Sequence, residues 1–72
     1  MQVSPHELRR RRELAGLTVN GLARLAGVDQ ANLRLIEAGR RGATQQTVER
    51  LADALGIDPL DLYTNEAEVV SR

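Results

Sequence analysis

Apolar residues recur along the chain at helical spacing, in short runs broken by glycine. A Ser, Thr or Asp marks where each run begins. It has an apolar neighbour just before it and another four residues after it, the arrangement of an N-cap with its hydrophobic staple. The pattern occurs at Val3-Ser4 with Leu8, Leu17-Thr18 with Leu22, Val28-Asp29 with Leu33, Ala43-Thr44 with Val48, and Ile57-Asp58 with Leu62. Ser4 and Glu7 add a capping box, and Pro5 and Pro59 stand at the first helical position, where proline is best tolerated. Gly16, Gly27, Gly39 and Gly56 follow the runs as left-handed closing residues should. The spacing predicts helices over 5–15, 19–26, 30–38, 45–55 and 59–63, with a longer connection at Gly39–Thr44. No stretch alternates as a strand would, and there are no internal repeats.

The same periodicity assigns inner faces. Helix 2 offers Leu22, Leu25 and Ala26; helix 3 offers Leu33 and Ile36; helix 4 offers Val48, Leu51, Ala52 and Leu55. Leu8 and Ala15 mark the inner side of helix 1, with Arg12 between them. An arginine on an inner face needs a carboxylate. Leu62 pins the last turn. The expectation is an all-α, compact five-helix bundle over residues 1–63, followed by a short flexible tail over 64–72.

Composition narrows the chemistry. The 72 residues hold no Cys, one His and one aromatic residue, Tyr63. That excludes a disulfide framework and the usual Cys/His zinc site. Ser4 and Ser71 lie near the ends, so a serine triad has nothing to build on. No metal, cofactor or enzymatic activity is expected. No apolar run is long enough to span a bilayer, and the N-terminus lacks a signal-peptide h-region. A cytoplasmic protein with no membrane partner is expected. A chain this small buries only about 60% of its unfolded surface, so a second chain would help it.

Zero net charge hides an asymmetry. Residues 1–42 carry eight Arg against four acids, a net of +4, and residues 43–72 carry two Arg against six acids, a net of −4. The basic half reads either as ordinary solvated surface or as a face for a polyanion.

Residues 19–38 carry the sharpest pattern. A short helix ends at Gly27, turns through Val28 and Asp29, and leads into a second helix. Ala23 is small where the second helix must cross closely, Gly27 supplies the turn, and Leu22, Leu33 and Ile36 fill the angle between the helices. These are the requirements of a helix-turn-helix.

From Leu8 to Leu62 the chain resembles the Cro/phage-repressor (XRE-type) helix-turn-helix domain, with a lambda-repressor-like fold. The residues that carry the resemblance include Gly16-Leu17-Thr18, Leu22-Ala23, Ala26-Gly27-Val28, Ile36-Glu37-Ala38-Gly39-Arg40-Arg41 and Leu51-Ala52 through Gly56-Ile57. The resemblance implies sequence-specific binding of double-stranded operator DNA, most often as a homodimeric transcriptional repressor on a palindrome, with helix 3 in the major groove. Carried over position by position, it makes Arg12 and Glu37 a structural ion pair. Its base-reading positions fall on Gln30, Ala31, Asn32 and Leu35. Gln and Asn can pair with adenine; Leu35 meets a thymine methyl or is simple surface. Phosphate contacts are expected from Asn20, Arg24, Arg34, Arg40 and Arg41, and from the start of helix 4 at Thr44 and Gln45. A small-molecule ligand is not expected in this domain.

The chain departs from the family pattern at Val19, where a phosphate-touching Gln is common, at Arg11, at Ala43, and at Gly21 inside helix 2. Asn20 is the available substitute for the missing Gln. For self-association the apolar candidates are Leu60, Tyr63, Val69 and Val70. A second class of function stays open: a protein-interaction module or antitoxin-type partner that reuses the fold, favoured by the zero net charge.

Overall fold

The computed structural model describes residues 2–63. It contains four α-helices: α1 (Pro5–Leu14), α2 (Val19–Ala26), α3 (Gln30–Glu37) and α4 (Gln45–Leu55). The predicted fifth helix is a 3-10 turn, Pro59–Leu62, so the five-helix count is corrected to four α-helices and this turn among the described residues. Pro59 and the Asp58 cap shape a start, but Tyr63 is already extended and bridged to Val3, so the run is only four residues long and closes as a 3-10 turn. The flexible tail expected over 64–72 lies outside the described residues.

Every cap is made by the side chain the pattern singles out. Ser4 Oγ accepts from the Glu7 amide at 3.2 Å, Thr18 Oγ1 from Gly21 at 3.0 Å, Asp29 Oδ2 from Asn32 at 3.0 Å, and Thr44 Oγ1 from Thr47 at 3.1 Å. Asp58 Oδ1 accepts from Leu60 at 2.9 Å. At the other ends, Gly27 and Gly56 take φ of 70° and 71°, where a side chain would be strained. A methyl group at Gly21 would stand 3.2 Å from Thr18 Oγ1, but Glu7, Asn32 and Thr47 carry side chains at the same position of their caps, so the structure gives no reason for glycine there.

The core is a cluster of Val3, Leu8, Leu22, Ala23, Ala26, Leu33, Ile36, Val48, Leu51, Ala52 and Leu62. Helix α2 packs on α3 and α4, while α1 packs on α3 and the 3-10 turn. Two inner-face assignments are corrected. Leu25 is 63% exposed, because the burial of Ala23 and Ala26 turns the inward arc of α2 toward Ala23 and away from Leu25. Ala15 is exposed because it caps α1 rather than continuing its inner stripe. Arg11 bonds Glu7 at 2.8 Å and reaches Asp61 at 4.0 Å. The chain ends of the domain meet in a way the pattern does not announce. Val3 and Tyr63 form an antiparallel bridge, and the Ser4 amide donates to the Leu62 carbonyl at 2.6 Å.

Candidate nucleic-acid interface

Three devices set the angle between α2 and α3. Ala23 is 3% exposed, so the two helices cross at the closeness that a small side chain permits. The Val28 amide donates to the Ala23 carbonyl at 3.0 Å, which with left-handed Gly27 tightens the turn. From α4, Arg50 Nη1 donates to the Gly27 carbonyl at 3.3 Å. Sequence reasoning missed Arg50; as an exposed residue of α4 beside the buried stripe, it gave no sign of a partner so far along the chain.

A charged node fixes α3 against α1. Arg12 Nε donates to Glu37 Oε2 at 2.7 Å and Arg12 Nη2 to Glu37 Oε1 at 3.0 Å, a two-point contact. Arg12 Nη1 donates to the Leu17 carbonyl at 2.8 Å, so the same guanidinium also holds the connection before α2. The hydrogen bond that Arg12 donates to Glu37 raises the Arg12 pKa above its ordinary value, and the group stays charged throughout the working pH range.

With the helices placed, the polar start of α3 faces outward. Gln30 and Ala31 are exposed, and Asn32 and Leu35 are half-buried. Arg24, Arg34, Arg40 and Arg41 are exposed. Two side-chain bridges bring members of this set together. Arg41 Nη1 donates to Asn32 Oδ1 at 2.8 Å, joining the loop after α3 to the first turn of α3. Arg34 Nη2 lies 3.5 Å from Asn20 Oδ1, joining α3 to the start of α2. Arg24 follows Asn20 by one helical turn on the same face of α2.

The start of α4 is tied differently. The Thr44 hydroxyl, besides capping, donates to Thr47 Oγ1 at 3.0 Å. Gln45 Nε2 donates to Glu49 at 3.2 Å, and Gln45 lines a cavity of about 410 Å³ with Ala43, Leu60 and Tyr63. Among the described residues no side-chain hydrogen bond joins Thr44 or Gln45 to the arginines.

Electrostatics separates two kinds of arginine. Arg10, Arg11 and Arg12 are paired with Glu7 or Glu37. Arg24, Arg34, Arg40 and Arg41 have no carboxylate within salt-bridge distance among the described residues. Arg9 on α1 and Arg50 on α4 also stand outside the ion pairs among the described residues, and the other four unpaired arginines lie on α2, on α3 and in the loop after α3. Among the described residues no cluster of His, Asp or Glu could hold a metal ion, and no helix is long and apolar enough to cross a membrane.

The family of helix-turn-helix domains matches residues 6–62. The HTH-type transcriptional repressor RghR of Bacillus subtilis is 43% identical over 58 residues, which are 79% of this chain and 43% of that protein. The restriction-modification controller protein C.AhdI of Aeromonas hydrophila superposes with a TM-score of 0.79 at 34% identity, over 82% of this chain and 89% of its own. An HTH_3 family transcriptional regulator from Vibrio cholerae superposes with a TM-score of 0.79 at 28% identity, over 93% of this chain and 38% of its own. The chain belongs to the helix-turn-helix domain family. It spans less than half the length of the repressor RghR.

Proposed function

We infer that this domain reads a specific double-stranded DNA sequence in the major groove with α3 and represses transcription from the site it occupies. The observation that carries the reading is the set of four uncompensated arginines around an outward, polar α3 start. Gln30, Ala31, Asn32 and Leu35 would meet base edges. Asn20, Arg24, Arg34 and Arg40 would hold phosphates on either side. Thr44 and Gln45 are the weaker members, since their side chains are already engaged within α4.

One α3 covers too few base pairs for selective binding, so two copies on a palindrome in the cytoplasm are the reading's natural form. The zero net charge that keeps a protein-interaction module in view is a sum over two unlike halves. It does not describe the face around α3.

Selection of bound duplexes from random DNA, followed by a salt titration on the selected site, tests this. Several phosphate contacts predict a steep loss of affinity with salt. Binding that selects no sequence, or a partner interface insensitive to salt, would overturn it.

A further inference from the structure

We propose that Arg41 and Asn32 act as one unit that reads guanine. The proposal rests on the DNA reading above and names the base that part of the site recognises. Arg41 stands two residues beyond the glycine that closes α3, where an arginine reads as a phosphate grip. The structure instead spends one of its donors on Asn32 Oδ1, at 2.8 Å.

That bond decides which way the amide faces. A guanidinium has donors and no acceptor, so it can engage Asn32 only through the amide oxygen. The Asn32 amide nitrogen is thereby turned the other way, and no acceptor among the described residues takes its hydrogens. An unconstrained Asn offers adenine an acceptor for N6 and a donor for N7. Asn32 held by Arg41 offers donors, and the remaining N–H groups of Arg41 lie beside them. A patch made of donors alone matches the edge that presents acceptors alone in the major groove, the O6 and N7 of guanine.

The local frame supports a fixed geometry. The Asn32 backbone amide is tied to the Asp29 cap at 3.0 Å, so the side chain leaves from a closed first turn. Asn32 is half-buried and Arg41 exposed, and no carboxylate among the described residues competes for the guanidinium. Arg41 is on this account a positioning and specificity residue.

The test starts from the site the wild-type protein selects out of random duplex DNA. A guanine is expected at one position of each half-site. Replacing it with 7-deazaguanine, which lacks the N7 acceptor, should weaken binding about tenfold. Arg41→Ala should lose discrimination at that base pair by a similar factor while preference elsewhere in the site is kept. In an Asn32→Ala background, Arg41→Ala should change discrimination no further. Neither side chain belongs to the buried core, and a thermal melt confirms that the variants fold. If Arg41→Ala weakens every sequence equally and lowers the salt slope, Arg41 grips phosphate and the proposal fails. If adenine is selected there, or the two variants are additive, it also fails. A wild-type protein that selects no sequence removes the DNA reading itself and this proposal with it, a result distinct from the others.

Discussion

Arg12 and Glu37 form a two-point ion pair across 25 residues of sequence, and Glu37 is the buried charged residue of the described core. The pair joins α1 to α3, and through the Leu17 carbonyl Arg12 also holds the approach to α2. Its side chains are 13% and 6% exposed, so either partner left alone would be a charge with little water around it. Breaking such a pair costs about 3–5 kcal/mol. In a domain of this size each kcal/mol moves Tm by about 4–8 °C. Glu37→Gln should therefore lower Tm by more than about 10 °C in thermal denaturation. An unchanged Tm would mean that the contact contributes nothing.

A second pairing has a pH signature. Arg11 and Arg10 bond Glu7 at 2.8 and 3.0 Å, and the Arg11 hydrogen bond is the larger cause that lowers the Glu7 pKa from its usual 4.5. A lowered folded value means the contribution is present above the unfolded value and lost as pH falls through the folded one. Tm measured downward from neutral pH should begin to fall below about pH 5. Glu7→Gln should lower Tm at neutral pH and flatten this acid limb. A Glu7→Gln limb as steep as the wild type's would show that other carboxylates control it.

The caps and the turn were legible because each is written in neighbouring residues. A Thr or Asp three positions ahead of a free amide needs no tertiary information. What escaped depends on distant partners. Leu25 has the spacing of an inner residue, yet the close approach at Ala23 turns it outward. The Val3–Tyr63 bridge joins the two ends of the domain, and neither residue carries a local sign of it. Around α3, residue types pointed to a polar reading face, but the Arg41–Asn32 bond needs the path of the intervening loop.

The turn of the helix-turn-helix rests on a backbone conformation. Gly27 sits at φ 70°, and a methyl added there meets nothing closer than Arg50 Nη1 at 3.9 Å. Gly27→Ala should therefore destabilise by the conformational penalty alone, about 1–2 kcal/mol. Urea denaturation reads this directly. A loss well above that range would point to a steric clash instead.

Reading and gripping should separate at Gln30 and Arg40. Gln30→Ala, on the exposed first turn of α3, should relax preference at particular base pairs by a factor of about ten. Arg40→Ala should weaken all duplexes alike and reduce the salt slope by about one. Competition binding with selected and random DNA distinguishes them. Equal losses on both DNAs for Gln30→Ala would remove it from the reading set.

The last prediction concerns a second copy. Two α3 helices on a palindrome need centres about 34 Å apart, which calls for a contact away from the reading face. Of the apolar candidates, Val69 and Val70 lie outside the described residues. Tyr63 is half-buried against the core and bridged to Val3, so much of its surface is already used. Leu60 is 63% exposed and lines the cavity with Ala43, Gln45 and Tyr63, which makes it the better anchor. Such a patch is far smaller than the roughly 1,600 Å² of a standard stable interface. The free protein should sediment as a monomer at micromolar concentration and occupy a palindromic operator as two copies. Leu60→Glu should leave half-site affinity unchanged and weaken occupation of the full palindrome by about tenfold or more, the worth of one buried leucine. A one-to-one complex on the palindrome at saturating wild-type protein would defeat the dimer reading. Full cooperative binding by Leu60→Glu would move the contact elsewhere on the domain.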